Sequence, residues 1–443
     1  MEKREEWNSG LGFILAAAGS AVGLGNLWGF AYRASEGGGG AFVLLYVAIV
    51  LLVCLPLLIA EMVLGRSTGR SPLLAPAAAG GSLWTPLGWL FTFVSVGILS
   101  YYVVLMGYTG STLVNTVLGG LPVDKDSVDI YFSSITTGRV SIIGQLVSLF
   151  LTGLVVSSGI RRGIQKLTSV GVPLLILMIV FLAIWSAFQP RASEGYDFLF
   201  AWDASQLKNP EVIANAFRQA FFSIGTGIGA ILAYSTYLNK RANIPQEATA
   251  VISLDTAVAL MAGCVTFPMI AIFALDKPTS SGAIGVLFKV LPHGLAKTDL
   301  WLGSSLIAFL FFLLIYLAAI TSSVSLLEVP VSSLMDKIGL SRKKSVWLSL
   351  VALAIIGLPS ALDIGFLDKT DRVMMALLIF GGFLLSLLMG WVVPKRYKED
   401  LAQSETSDST ISKLLWTLRW VSTPVVTVGL ILVVEETFRN WSS

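Results

Sequence analysis

Apolar residues fill most of the chain in windows long enough to cross a bilayer. Windows of about 20 apolar residues are typical of transmembrane helices. We number eleven such windows as spans 1 to 11, and they lie at approximately residues 10–35, 41–65, 87–116, 139–157, 166–188, 211–238, 246–275, 301–333, 345–361, 371–393 and 417–437. The pattern predicts an all-α polytopic membrane protein with eleven transmembrane helices in one transmembrane domain, residues 1–443.

Glycines interrupt two of these spans. Gly19, Gly23 and Gly25 lie close together in span 1, and each glycine costs roughly 1 kcal/mol in a helix interior relative to alanine. A second glycine-rich stretch, residues 223–229, interrupts span 6. Non-helical backbone at membrane depth is tolerated only inside protein or along a cavity, so two broken helices and a small-solute site are predicted. Close helix packing through Gly19 and Gly23 is the alternative interpretation.

The two interruptions occupy corresponding positions in two halves of five spans each. The first half covers about residues 10–188, the second about 211–393, and span 11 at about 417–437 is additional. Because five is odd, the halves would cross the membrane in opposite directions. Glycine-interrupted spans at matched positions are typical of inverted-repeat transporters with a site near the bilayer midplane.

Charge is sparse and its distribution predicts orientation. The chain is 55% hydrophobic and 13% charged, whereas soluble domains carry about 25% charged residues. Lys and Arg favour the loops on the side of the N-terminus, which predicts a multi-pass protein of the inner (plasma) membrane with a cytoplasmic N-terminus and an extracellular C-terminus. The net charge of +3 gives nucleic-acid binding no support. Cys54 and Cys264 lie in apolar spans and are interpreted as small core residues rather than as a disulfide.

Two polar features inside the spans indicate an ion site. Asp255 lies in span 7 with no Lys or Arg within two turns of it, so a bound cation would be a suitable partner for its carboxylate. A protonated or water-bonded carboxyl is the alternative. Thr321, Ser322 and Ser323 place three consecutive hydroxyls in span 8, and sodium prefers such oxygen ligands. Neither a nucleophile–base pair nor a metal-binding cluster is evident in the sequence, so we do not expect an enzyme.

Several motifs in order resemble the neurotransmitter:sodium symporter family, and within it the eleven-span bacterial multi-hydrophobic amino acid transporters. The motifs are the run at 19–28 with Phe30, the glycine-rich loop at 37–42, the segment 61–66 at the end of span 2, Tyr101 and Tyr102 in span 3, and the hydroxyl run at 321–323. The resemblance covers essentially the whole chain. It implies sodium-coupled symport of hydrophobic L-amino acids by alternating access.

The resemblance also implies two sodium sites and one substrate site. The first sodium would bind Ala21, Asn26, Ser223 and Asp255, and the second Gly19, Val22, Ala318, Thr321 and Ser322. The substrate carboxylate would meet the first sodium, Leu24, Gly25 and Tyr102, and its amino group the carbonyls near Ala21 and in the unwound part of span 6. The apolar side-chain pocket would be formed by Ile98, Tyr102, Phe222, Gly225, Ile228, Ser322 and Leu326, and it would accept both aliphatic and aromatic side chains.

Departures from the family pattern lead to further expectations. Relatives carry a charge or bind chloride near position 259, where this chain has Ala259. Asp255 would supply the negative charge itself, so transport is predicted to be chloride-independent. Gly29 stands where relatives commonly have an arginine that pairs with an aspartate, here Asp371. Either Arg33 replaces that arginine, or the outer gate lacks the pair and relies on a lid of Tyr102 and Phe222.

On the cytoplasmic side the resemblance implies an inner gate. Its members would be Arg4, Trp7, Tyr237, Glu328 and Asp336. Gly163 and Pro173 in span 5 match a spacing that is linked to local unwinding of that helix in the family.

Two other functions remain open at this stage. Proton coupling through Asp255 or Glu61 would give an amino-acid transporter that needs no sodium, and a sensor on the same scaffold would bind without transport. The predicted partners are a hydrophobic L-amino acid and the lipid bilayer, and the sequence does not indicate an oligomeric state.

Overall fold

In a computed structural model, residues 6–272, 282–297, 303–404 and 406–439 are described, and every regular element in these ranges is a helix. Eight helices within the described ranges are long and apolar enough to cross a membrane. They are Gly40–Thr68, Ser82–Leu118, Gly138–Ser157, Ile160–Ala187, Ile244–Ala271, Ser304–Ile338, Ile364–Val392 and Asp408–Arg439, which correspond to spans 2, 3, 4, 5, 7, 8, 10 and 11. The all-α polytopic class predicted from the sequence is therefore correct, and the total of eleven spans stays a prediction.

Spans 1 and 6 are each divided into two helical parts. In span 1 the helix Gly10–Ala21 is followed by the π-helix Gly25–Gly29 and the helix Phe30–Glu36. In span 6 the helix Pro210–Ile224 is followed, after five residues, by the helix Ala230–Ser235. Both interruptions lie where the glycines predict them, which agrees with the local cost of glycine in a helix.

The remaining helices are shorter. Span 9 is Arg342–Ile356, continued by Leu358–Leu362. Loop helices occur at Ala75–Gly80, Ser82–Trp84, Lys125–Thr136, Ala192–Leu199, Ala204–Lys208, Gly282–Gly285, Val286–Val290, Leu291–Lys297 and Pro394–Ala402. The polar stretches between spans are thus partly helical rather than extended loops.

The broken helices lie at the centre of the bundle. The first part of span 1 packs against spans 5, 7 and 8, and its small residues Ala16, Ala17 and Ala18 are completely buried. Small side chains let membrane helices approach closely. Span 3 packs along span 8 on the other side of the centre. Non-helical backbone in spans 1 and 6 is therefore enclosed by protein, as its polar groups require.

The break in span 1 is shorter than the glycine pattern suggests. The helix continues through Gly19 to Ala21, and only residues 22–23 are non-helical before helical geometry resumes at Leu24. A Cβ on Gly19 would lie 2.9 Å from Val172 Cγ2 and 3.3 Å from Thr321 Cβ. Gly19 therefore serves close packing within a helix, which was the alternative interpretation. In span 5 the helix is continuous through Pro173.

Candidate functional site

The break in span 1 leaves a short run of backbone groups near polar side chains. Val22 adopts an extended conformation (φ −71°, ψ 101°) that ends the first helix. The N–H of Gly23 donates to Asn26 Oδ1 at 3.1 Å, and the N–H of Leu24 donates to the Tyr102 hydroxyl at 3.2 Å. The second half of the span thus begins with its N–H groups directed at side chains, where a helix N-terminus favours anions.

A buried polar cluster lies beside this break. Asn26 Nδ2 donates to Asp255 Oδ1 at 2.7 Å and to Ser223 Oγ at 2.8 Å. The Ser223 hydroxyl donates to Asp255 Oδ2 at 2.7 Å, and the Tyr46 hydroxyl lies 3.5 Å from the same oxygen. Spans 1, 2, 6 and 7 each contribute one side chain. The structure thereby brings together three residues that the resemblance assigns to the first sodium.

The carboxylate in this cluster has no cationic partner within the described residues. Asp255 is fully buried, and all of its side-chain hydrogen bonds come from the neutral groups of Asn26, Ser223 and Tyr46. A buried charge is costly unless a charge of opposite sign accompanies it. A monovalent cation among these oxygens would fit that requirement. Ala21, the fourth residue assigned to this sodium, lines the adjoining cavity.

Oxygen atoms of spans 1 and 8 meet in a second cluster. The Ser322 hydroxyl lies 3.3 Å from the Gly19 carbonyl oxygen, 3.2 Å from that of Val22 and 3.2 Å from that of Ala318. Thr321 Oγ1 lies 3.0 Å from the Ala318 oxygen. All five residues assigned to the second sodium thus lie together, and their neutral oxygens suit a hard monovalent cation.

Ser323, the third hydroxyl of the run, faces away from span 1. Its Oγ bonds to the Ile320 carbonyl oxygen and lies 2.8 Å from Thr152 Oγ1 of span 4. Helical geometry separates adjacent residues by 100°, so three consecutive hydroxyls cannot all face one partner.

A small cavity of about 30 Å³ opens beside both clusters. Its walls include ten of the eleven residues predicted to contact substrate, namely Ala21, Leu24, Gly25, Ile98, Tyr102, Phe222, Gly225, Ile228, Ser322 and Leu326. The eleventh, Ser223, belongs to the cluster around Asp255. Ser20 and Ser325 also line the cavity and hydrogen-bond to each other at 2.6 Å, and sequence reasoning missed them.

A larger cavity of about 380 Å³ lies next to the small one, on the side that the charge pattern predicts to be extracellular. Leu24, Gly25, Tyr102 and Phe222 line both cavities, so these four residues lie between them. The ring of Phe222 presses against Gly25, where a Cβ would collide with it. The lid of Tyr102 and Phe222 stays a prediction.

The break in span 6 is held by a carboxylate from span 2. Gly225, Gly227 and Gly229 have φ values of 71°, 93° and 86°, a left-handed region that favours glycine. Glu61 is fully buried, and its two oxygens accept hydrogen bonds from the Gly227 N–H at 3.0 Å and the Leu232 N–H at 3.1 Å. The sequence marked Glu61 only as part of a motif and as a proton-coupling candidate.

At the end of the bundle that is predicted to be the outer one, Arg33 and Asp371 line the larger cavity but bind neutral partners. Arg33 Nη1 donates to Gln219 Oε1 at 2.6 Å, and the Tyr101 hydroxyl donates to Asp371 Oδ1 at 2.7 Å. In the part of the chain that the structure describes, no ion pair joins Arg33 to Asp371. Gln219 Nε2 also donates to the Gly25 carbonyl at 3.0 Å, so Gln219 connects the two broken spans.

At the end of the bundle next to the N-terminus, which is predicted to be cytoplasmic, an aromatic and ionic network joins spans 1, 6, 8 and 9. Trp7 Nε1 donates to the Tyr234 carbonyl at 2.9 Å, and the Tyr237 hydroxyl donates to Glu328 Oε1 at 3.1 Å. Arg342 forms an ion pair with Glu328.

The other predicted members of the inner gate lie beside this network or beyond the description. Asp336 pairs with Arg70 at 3.1 Å and accepts the Ser71 N–H at 2.9 Å. Arg4 lies outside the described residues. Sequence reasoning missed Tyr46, Gln219 and Arg342, although Tyr46 and Gln219 are polar residues within spans, which is itself a signal of function.

Comparison with known proteins agrees with this arrangement. Residues 4–136 and 128–440 match the model of the sodium:neurotransmitter symporter family. A sodium-dependent transporter of Methanocaldococcus jannaschii is 35% identical over 389 residues, which are 84% of this chain and 78% of that protein. The sodium-dependent transporter YhdH of Bacillus subtilis is 32% identical over 450 residues, 98% of this chain and 97% of its own.

A solved structure extends the similarity to the fold. The crystal structure of MhsT in complex with L-phenylalanine has a TM-score of 0.88 and 31% identity, and the match covers 97% of this chain and 100% of that chain. The family match spans nearly the whole sequence, and the relatives are named as sodium-dependent transporters. The chain therefore belongs to the sodium:neurotransmitter symporter family, as a membrane-embedded sodium-dependent symporter.

Proposed function

We propose that the protein imports hydrophobic L-amino acids, aliphatic and aromatic, together with sodium by alternating access. The observation that carries the proposal is that one break, in span 1, borders two oxygen clusters and an apolar cavity at once. A site built this way makes binding of the ions and the solute interdependent. The bound L-phenylalanine in the similar MhsT supports an amino acid as the solute.

Two sodium ions would be carried, one in each cluster. In the first, Asn26 Oδ1, the Ser223 hydroxyl, the Ala21 carbonyl and the Asp255 carboxylate would hold the ion. In the second, Ser322 and Thr321 would face the carbonyls of span 1. In the structure, the Asn26 amide donates a hydrogen bond directly to Asp255. A bound cation would replace this hydrogen bond.

The substrate carboxylate would meet the N–H groups of Leu24 and Gly25 and the hydroxyl of Tyr102. Free N–H groups at a helix start favour an anion, and the Leu24 N–H already donates to Tyr102. The side chain would extend between Ile98 and Leu326, which line the small cavity. Since that cavity is only about 30 Å³, binding would require the walls to move outward.

Alternating access would begin with closure of Tyr102 and Phe222 over the substrate. The inner half of span 1 would then move away from span 6, which breaks the hydrogen bond between Trp7 and Tyr234. Span 5 would unwind near Gly163 and Pro173, and the second sodium would leave toward the cytoplasm. Each positive charge that moves inward gains about 2.3 kcal/mol per 100 mV, enough to drive accumulation of substrate.

Uptake of labelled leucine and phenylalanine into proteoliposomes tests the proposal. Uptake is expected only with an inward sodium gradient, and all twenty amino acids as competitors should rank hydrophobic residues, including tryptophan, above glycine and alanine. Full uptake with choline in place of sodium would point to proton coupling. Binding without accumulation would point to a sensor.

Chloride independence has its own test. Because Asp255 would supply the negative charge, replacing chloride by gluconate should leave the uptake rate unchanged. A steep loss of uptake in gluconate contradicts this assignment while leaving sodium coupling intact.

A further inference from the structure

A second cavity, remote from the substrate site, faces the membrane between spans 3, 8 and 9. Its volume is about 290 Å³, and it shares no lining residue with the cavities around Tyr102. Val96, Pro330, Leu348 and Leu353 form much of its apolar wall. We call it the Lys337 groove, after the residue at its end.

The charged end of the groove is a lysine without an acidic partner. Lys337 is exposed on the last turn of span 8, and its Nζ lies 4.2 Å above the centre of the Trp89 ring, a cation–π contact. Within the described residues no carboxylate lies within ion-pair distance of Lys337. The ammonium is therefore held at the groove by an aromatic ring and left available to an anion.

A buried hydroxyl in the same groove also lacks a partner. Ser349 is 5% exposed, lines the groove, and its Oγ makes no hydrogen bond in the described part of the chain. A buried polar group without a partner costs about 1–3 kcal/mol. The two other hydroxyl residues of the groove, Thr92 and Ser333, bond to carbonyls of their own helices. Ser349 alone among these three is free to donate to a bound molecule.

The position of the groove indicates which molecule that is. Its residues come from the N-terminal part of span 3, the last turns of span 8 and the middle of span 9. The end of span 8 that carries Lys337 and the start of span 3 are the ends that the positive-inside pattern predicts to be cytoplasmic. Trp89, Ile338 and Leu348 are at least half exposed, as apolar side chains are when they face lipid. Cytoplasmic leaflets are rich in anionic lipids that attract basic residues near the ends of spans.

We propose that the Lys337 groove binds one anionic phospholipid of the cytoplasmic leaflet. The headgroup phosphate pairs with Lys337, the Ser349 hydroxyl donates to an ester oxygen, and one acyl chain lies along the apolar wall. Lys337 directly follows Asp336, whose carboxylate holds Arg70 and the Ser71 N–H. The bound lipid therefore stabilises the end of span 8 where Asp336 contacts the loop after span 2.

Native mass spectrometry and thermal unfolding of the detergent-purified full chain test this site. Phosphatidylglycerol is added and compared with phosphatidylcholine of identical chains. We expect phosphatidylglycerol to bind and raise the unfolding midpoint, and Lys337→Ala to weaken its binding about fivefold. Ala352→Trp, which fills the groove and leaves the lysine intact, should do the same. Lys398→Ala, at an exposed lysine outside the groove, is the matched control and should bind like the parent.

Each other outcome contradicts the proposal. If phosphatidylcholine binds as well as phosphatidylglycerol, the groove does not recognise the anionic headgroup. If both groove variants bind phosphatidylglycerol like the parent, the lipid binds at another site. Stabilisation by millimolar inorganic phosphate alone shows a free-anion site instead of a lipid site. A shift in mass to a dimer that Ala352→Trp abolishes identifies a second copy of the chain as the occupant. Sodium-dependent uptake is measured in parallel, so that failure of this site is separate from failure of the transport function.

Discussion

The two broken helices satisfy their exposed backbone in opposite ways. In span 6, the carboxylate of Glu61 accepts from the N–H of Gly227 in the break and from the N–H of Leu232 in the first turn of the helix that follows it. In span 1, the Gly19 and Val22 carbonyls face only a serine hydroxyl from span 8. One break is closed by a permanent counter-group from the protein, whereas the other has oxygen atoms that a ligand can use.

We propose that this difference distinguishes a structural carboxylate, Glu61, from one that binds an ion, Asp255. Glu61 and Asp255 are both fully buried, but backbone N–H groups satisfy Glu61, whereas neutral side chains surround Asp255. We therefore expect loss of Glu61 to destabilise the protein under all conditions. Loss of Asp255 should instead change only how the protein responds to sodium.

The largest expected effect follows from Glu61→Ala. Two buried N–H groups lose a charged acceptor, and hydrogen bonds to charged groups are worth about 1.5–3 kcal/mol each. Unfolding in detergent should require about 3–5 kcal/mol less free energy, with or without sodium, and uptake should be lost. Glu61→Gln retains one acceptor oxygen and should lose about half as much. If Glu61→Ala were as stable as the parent, Glu61 would not be a structural group, and the contrast with Asp255 would fail.

The sequence allowed the position of both breaks to be predicted, but not this division of roles. Glycine acts locally, so its cost in a helix shows where spans 1 and 6 are interrupted. The partner of each break is determined by packing between distant spans, as Glu61 and Gly227 are 166 residues apart. Packing between spans also explains why Gly19 lies within its helix, because Val172 and Thr321 leave no room there for a larger side chain. Thr321 and Ser322 were assigned to an ion only through the family resemblance, and the structure adds that Ser323 faces Thr152 instead of span 1.

Asp255→Asn should have the next largest effect, confined to sodium binding. The amide keeps an oxygen at the site but removes its charge, and affinity for cations depends on the number of charged ligands. The sodium concentration for half-maximal uptake should rise about tenfold or more. Sodium should stabilise the parent against heat by preferential binding to the folded state, and this gain should shrink in the variant to the part that the second oxygen cluster contributes. A lowered unfolding midpoint in sodium-free buffer would place Asp255 with Glu61 as a structural group.

A smaller change is expected at the second oxygen cluster. Ser322→Ala removes one neutral oxygen next to the carbonyls of Gly19 and Val22, which corresponds to about a fivefold rise in the sodium requirement. Ser323→Ala is the matched control, because Ser323 faces Thr152 instead of span 1. Equal sodium dependence of the two variants would mean that the carbonyls of span 1 do not bind an ion.

The smallest effect should come from the link between the two breaks at the outer end. Gln219 donates to the Gly25 carbonyl and accepts from Arg33, so Arg33 orients the amide that joins span 6 to span 1. Arg33→Gln removes the charge but retains a hydrogen-bond donor. Since Arg33 donates to a neutral amide and the variant retains a donor, substrate affinity should fall by no more than about threefold, with sodium dependence unchanged. Arg33→Ala should cost somewhat more, as the amide of Gln219 loses its partner. If Arg33→Gln abolished uptake, the arginine would be acting through its charge, in a pair with Asp371 that forms only when the outer cavity closes.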